Sequence, residues 1–372
     1  MADAPLATLT SGGALVLAAW GVLALPLLSF LVNGLWLGRK HAAASGWTAA
    51  ALMGGTAALA AVLALGYHDQ VLGRPEFPAN TAIAFDHVWM AFGEGTAQAA
   101  KLGFYLDPIS VMMVLVIAFV SFLVHVYSIG YMQGDPGAGR FFPTLSFFTF
   151  AMLGLVVSSN LIQTFFFWEL VGVASYLLIG FWYRKPAAVA ASKKAFIMTR
   201  FADAFFLMGV LTVGLKAEGF DFLVVNSAGA AAALDQHFTV GLFHVNLLTL
   251  GTLLIYAGAW GKSAMFPLHG WLPDAMEGPT PVSSLIHSAT MVVAGIYLTA
   301  RLYPLFSAAD ATMTVVELTG SVTAVFAAVI ACTQTDLKRI LAFSTLSQLG
   351  LMMASLGAGA AGGGEAAHPM AH

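Results

Sequence analysis

Between two long apolar runs, Leu242–Trp260 and Ser288–Ala300, lies the segment GKSAMFPLHGWLPDAMEGPTPVSSLIH, residues 261–287. It carries a lysine, Lys262, and a histidine, His287, with Pro267, Gly270, Pro273, Gly278, Pro279 and Pro281 between them. A charged, helix-breaking stretch set between membrane-type helices is costly. Every backbone group that leaves a helix inside a bilayer needs another partner, and such backbone survives only where protein or a water-filled cavity covers it. Its ionisable residues are therefore candidate functional groups.

The rest of the chain requires the membrane. Asp, Glu, Lys and Arg make up 9% of the 372 residues and hydrophobic residues 59%, where a soluble domain carries about 25% charged residues. A net charge of −3 gives no support to nucleic-acid binding. The single cysteine, Cys332, excludes a disulfide framework, a cysteine-ligated zinc site and a thiolate-held iron–sulfur cluster. The chain itself is therefore expected to carry no electrons. MADAPLATLTSGG at the start has no basic n-region, so the first apolar run is expected to be a retained helix and not a cleaved leader.

A spanning helix needs ~20 mostly apolar residues. The pattern predicts an all-α polytopic membrane protein with ten spans. They are Ala14–Leu37, Trp47–Tyr67, Ile109–Ile129, Phe141–Ser159, Leu161–Tyr183, Ala191–Leu215, Gly241–Ala264, Pro281–Leu302, Met313–Cys332 and Ile340–Gly357. The link VVSSNLIQ makes the fourth and fifth a tight antiparallel pair. FDHVWMAFGEG and AAKLGFYLD alternate as a surface β-hairpin would, and Asp107-Pro108 reads as N-cap and first turn of the third span. Arg39, Lys40, Arg140, Arg184, Lys185, Lys193, Lys194, Lys338 and Arg339 fall on one side, against Arg74, Lys101, Lys216 and Arg301 on the other. The excess of basic residues marks the inner face and puts the N-terminus outside.

Ionisable residues inside apolar runs narrow the site. Glu169, in FFFWELVGVASYLLIGFWY, must face a bundle interior, either as a helix-locking group or as a proton carrier. Arg200 and Asp203 are three apart and share a helix face, so they can pair with each other. Lys262 reads either as a snorkelling anchor or as a proton site whose affinity depends on a movable carboxylate. Ser283, Ser284, His287 and Thr290 fall on one helical stripe able to hold a chain of waters. Asp336, Lys338 and Arg339 in TDLKRI read as an inner-face loop. His368 and His372 have an i, i+4 spacing, but with Pro369 between them and no acidic partner they are not expected to bind zinc. The AGAAGGG run at 358–364 reads as a linker or frayed end.

Several long motifs together resemble a known family. GKSAMFPLHGWLPDAMEGPTPVSSLIHSATMVVAGIYL, FFFWELVGVASYLLIGFWY, LDPISVMMVLVIAFVSFLVHVYSIGYM and TDLKRILAFSTLSQLGLM resemble the antiporter-like membrane subunits of respiratory complex I, the NADH:quinone oxidoreductases. HVYSIGYM and ALPLLSFLVNG are most similar to the L-type subunits, and Mrp-type sodium/proton antiporters and energy-converting hydrogenases share the family. The resemblance implies two inverted five-helix repeats, each with a broken helix and a proton half-channel. Residues 1–140 would be an N-terminal bundle, 141–302 the first half-channel, and 303–372 the start of the second. It implies that Glu169 pairs with Lys262, that Asp203 lies near a subunit boundary, and that protons pass from Lys262 by His287 and Lys338. Arg200, Asp336, His368 and His372 would support that path, the two histidines as the family's H-x-x-x-H. FMN, iron–sulfur clusters and quinone are then expected on partner subunits, the M-type paralogue being the nearest partner, in a bacterial cytoplasmic membrane. The family pattern continues beyond His372, so a truncated or split version is expected.

Overall fold

The computed structural model describes residues 13–74, 77, 80–91, 99–240, 243–288 and 290–361. They are overwhelmingly helical. Among them, eight helical stretches are long and apolar enough to cross a membrane. The described residues fall into two units. The first takes those up to Trp89, Lys101–Phe181 and Pro279–Leu285; the second takes the remainder.

In the first unit, Ala14–Val32 (α1) passes through a π-turn, Asn33–Leu37, into the short Gly38–Lys40 (α2). Ala42–Gln70 (α3), Pro108–Tyr131 (α4), Ala138–Val156 (α5) and Leu161–Ile179 (α6) complete the bundle. α4 starts where the sequence places it. Asp107 accepts from Ser110 N at 2.8 Å, Ser110 Oγ accepts from Asp107 N at 2.9 Å, and Pro108 fills the first turn. The expected hairpin also forms, from Ala82–Ala91 (β1) and Ala99–Leu106 (β2). The tight α5–α6 link holds it. Asn160 Nδ2 donates to Lys101 O at 2.7 Å, and Gln163 bonds both Gly103 N and Gly103 O, at 2.9 and 3.0 Å.

The second unit begins with the long helix Pro186–Lys216 (α7), followed by Phe222–Val225 (α8) and Ala228–Leu234 (α9). A second hairpin, His237–Val240 (β3) and Phe243–Asn246 (β4), pairs His237 with Asn246. Then come Leu247–Lys262 (α10) and Trp271–Asp274 (α11), and after them Thr280–Ser288 (α12), whose residues up to Leu285 count with the first unit, Ala294–Arg301 (α13) and Tyr303–Ser307 (α14). Asp310–Ala331 (α15) and Leu337–Ala361 (α16) pack side by side at its end.

Two of the ten expected spans differ from the simple reading. The helix expected from Gly241 starts at Leu247, because β4 occupies the preceding residues and Asn246 caps α10 by accepting from Leu248 N at 2.8 Å. With 16 residues, α10 is about 24 Å long, short of the ~30 Å hydrocarbon core. The run Pro281–Leu302 is not one helix. It is α12 and α13 with a second break between them, so Thr290 leaves the stripe expected with Ser283 and His287. Ser263 stabilises that break by donating its hydroxyl to Val292 O at 2.7 Å.

Candidate functional site: a buried lysine at a helix break

α10 ends at Lys262, and the backbone groups freed there are met one by one. Trp271 Nε1 donates to Gly261 O at 3.0 Å, one of the carbonyls orphaned by the helix end. Trp260 Nε1 donates to Phe266 O at 2.8 Å, and Phe266 N donates to Thr323 Oγ1 on α15 at 2.9 Å. The turn costs some strain: Ala264 takes the left-handed conformation at φ 52°, worth ~1–2 kcal/mol in a non-glycine residue. Two lysines secure the following segment from its flanks. Lys194 on α7 reaches Asp274 Oδ2 at 2.7 Å. Lys338 on α16 donates to Met276 O at 2.7 Å and Gly278 O at 3.0 Å, just before α12.

The packing of α7 on α10 brings a carboxylate to the lysine. A Cβ on Gly261 would stand 2.3 Å from Ala202 Cβ, and one on Gly258 would stand 2.5 Å from Phe206 Cβ. Only glycine lets the two backbones come this close, the usual device of membrane helix pairs. The register puts Asp203 Oδ2 3.4 Å from Lys262 Nζ, with the two side chains 1% and 0% exposed. Two opposite charges out of water are a high-stakes arrangement. Their attraction offsets a desolvation cost of several kcal/mol per ion, and losing one partner leaves the other uncompensated.

The structure brings the Asp203 carboxylate to Lys262; sequence spacing suggested Arg200 as a mate for Asp203, and the resemblance suggested Glu169 for the lysine. Arg200 lies over the Phe196 ring at 4.6 Å, and its charge acts on Lys262. Glu169 is half-buried on α6, in the first unit. His287 is half-buried near the end of α12, under the field of Lys338. Its Nε2 is buried and has no hydrogen-bond partner among the described residues. Asp336 is exposed and accepts from Arg339 N at 3.1 Å, a helix-capping contact at the start of α16. His368 and His372 lie outside the described residues. Ser263, Thr323 and Trp271, which satisfy the breaks, carry no local signature; a pattern reading sees only hydroxyls and an aromatic in apolar runs.

A family model described as "NADH:quinone oxidoreductase/Mrp antiporter, TM" matches residues 158–372, over half the chain, and one for the complex I chain 5 N-terminus matches 89–142. The chain belongs to the NADH:quinone oxidoreductase/Mrp antiporter membrane family. It is 50% identical over 272 residues to the F(420)H(2) dehydrogenase subunit L of Methanosarcina mazei, covering 70% of this chain and 40% of that protein. It is 46% identical over 260 residues to the NAD(P)H-quinone oxidoreductase chain 5 of Synechocystis sp., covering 70% and 37%. The chain therefore spans about 40% of the length of the curated relatives it matches. Its fold is similar to a chain of the Mrp complex of Dietzia sp., with a TM-score of 0.74, 26% identity, and coverage of 93% of this chain and 34% of that one.

In this antiporter-like chain the clamp at Lys338 gives a direct prediction. A hydrogen bond to a charged group is worth ~1.5–3 kcal/mol. Lys338→Met should therefore speed amide hydrogen exchange in residues 276–284 by about tenfold or more. Exchange at the wild-type rate would show that the ammonium does not hold the segment.

Proposed function

We propose that this chain is a proton-translocating membrane subunit of a quinone-reducing respiratory complex of the NADH:quinone oxidoreductase type. The observation that supports this most is the buried Lys262–Asp203 pair at the end of a broken helix. A carboxylate near the buried ammonium repays part of its desolvation. When that carboxylate is drawn away or neutralised, the ammonium bears the whole cost and gives up its proton. Each ~1.4 kcal/mol so transferred changes proton affinity tenfold. Asp203 and Glu169 are the carboxylates assigned to this control. His287, with its open Nε2, and Lys338 receive the proton.

Electron transfer is assigned to partner subunits, which would hold FMN, iron–sulfur clusters and quinone. One thiol, Cys332, is too few for a cluster. An M-type paralogue is the proposed neighbour. The proposed setting is a bacterial cytoplasmic membrane with the N-terminus outside, residues 141–302 forming the first half-channel. The test is acidification by the assembled complex, reconstituted in sealed vesicles and driven by its electron donor. Glu169→Gln should weaken pumping strongly without lowering the amount of complex; unchanged pumping would return Glu169 to a structural role. The likeness to the Mrp complex supports a second reading, a subunit of a sodium/proton antiporter. That reading requires sodium flux driven by a pH gradient with no electron donor present, and the first requires none.

A further inference from the structure

The first unit contains a buried polar chain that the Lys262 site does not use. His125, on α4, is fully buried, and both its ring nitrogens are engaged. Nδ1 lies 2.8 Å from Ser121 O, a carbonyl that can only accept, so Nδ1 carries the hydrogen. Nε2 is then the open lone pair, 3.2 Å from Ser146 Oγ on α5. Ser146 Oγ is 2.8 Å from Ser29 Oγ on α1. Ser29 Oγ accepts from Asn33 Nδ2 at 3.2 Å, and Asn33 Oδ1 lies 2.8 Å from Thr48 Oγ1 on α3, whose one hydrogen it shares with Ala44 O at 2.8 Å and Ser45 O at 3.1 Å.

The hydrogens in this chain have one consistent order. Nε2 of His125 can only accept, so the Ser146 hydrogen points to it, the Ser29 hydrogen points to Ser146, and Asn33 Nδ2 donates to Ser29. The chain leads from half-buried Thr48, nearly two turns into α3, to a fully buried imidazole. Asn33 also opens the π-turn of α1, a distortion often found at functional sites. A purely structural bolt would need no titratable group, since hydrogen bonds between membrane helices average only ~0.6 kcal/mol. The charged and titratable side chains on the surrounding elements are Arg39, Lys40, His41, Tyr67, His68, Asp69 and Arg140, with Asp107 at the cap of α4 and Tyr127 and Tyr131 on α4 itself. Among the described residues, none of them bonds His125.

We propose that His125 is a second proton-holding site, loaded through Ser146 and Ser29. The Ser146 hydroxyl hydrogen passes to Nε2 as Ser146 takes the hydrogen of Ser29, leaving an imidazolium. Ser29 is refilled from Asn33 Nδ2 as Asn33 Oδ1 takes a proton from the Thr48 end, where the aqueous phase is the source. An amide relays a proton only through its imidic-acid form, which makes Asn33 the slow step.

This inference rests on the proton-translocation reading, and one set of variants separates the two. In the assembled complex with ring-labelled histidine, difference infrared spectra should contain an imidazole band that changes during turnover and is lost in His125→Gln. Ser146→Ala keeps the imidazole and its Nδ1 bond. It should retain the band and slow its appearance by about tenfold or more, as removal of a positioned proton donor does. Lys262→Ala is measured alongside. If it still pumps, the translocation reading fails, while the His125 band still decides this site. If His125→Gln keeps every changing histidine band of the wild type, or Ser146→Ala shows the band at the wild-type rate, His125 is a structural bolt and the proposal is overturned.

Discussion

Lys262→Ala should abolish proton pumping while leaving the complex assembled. Both halves of this outcome follow from the local physics. The contacts that hold the broken segment are Trp271 to Gly261 O, Thr323 to Phe266 N, Lys194 to Asp274 and Lys338 to two carbonyls. None of them uses Lys262. Removing the ammonium does take a charged partner from the buried Asp203, and breaking such a pair costs ~3–5 kcal/mol. The contacts that hold the segment remain and offset that loss, so the variant should keep its helices in place. Transport has no such support, because the group that takes and gives the proton is gone. Lys262→Arg makes the test sharper. A guanidinium keeps the charge but does not release its proton in proteins, so this variant should also assemble and not pump. Acidification is read with a pH-sensitive dye in sealed vesicles, with electron transfer measured in parallel. Either variant pumping at the normal stoichiometry would sink the assignment of Lys262 as the proton site.

How much of this site could be read from the chain depended on how local the cause is. The break after Lys262 was legible because proline and glycine announce it, and α4 was legible because Asp107-Pro108 is a start signal. The β1–β2 hairpin was visible in its alternation. The break between α12 and α13 was not. SATMVVA contains no proline or glycine, and what opens it is a distant hydroxyl, Ser263, taking Val292 O. β3–β4 was hidden for a related reason, since its apolar residues extend the run that becomes α10. The pairing of Asp203 with Lys262 was the hardest to see. Sequence spacing offers Asp203 a neighbour on its own helix, Arg200, whereas its contact with Lys262 depends on the register between α7 and α10. That register is decided by side chains that are absent, at Gly258 and Gly261, and a missing side chain leaves no periodic signal.

Gly261→Ala should therefore disable the site without touching an ionisable group. In a helix, alanine is favoured over glycine by about 1 kcal/mol, so propensity alone predicts a more stable protein. Packing predicts the reverse. The added methyl would lie 2.3 Å from Ala202 Cβ, and neither atom can rotate away because each is fixed to its helix backbone. Overpacking of this kind costs ~1–3 kcal/mol, which outweighs the gain. Relief requires α7 and α10 to separate, and the residue after Ala202 is Asp203, whose 3.4 Å contact with Lys262 would be the first to lengthen. The single variant should assemble with lowered thermal stability and lose most of its proton pumping. The double variant Gly261→Ala with Ala202→Gly moves the methyl from one helix to the other and restores the spacing. Its pumping should return towards wild type, a non-additive recovery expected only of residues in direct contact. If the single variant pumps normally, or the double variant is worse than the single, the close approach of α7 and α10 is not what holds Asp203 to Lys262.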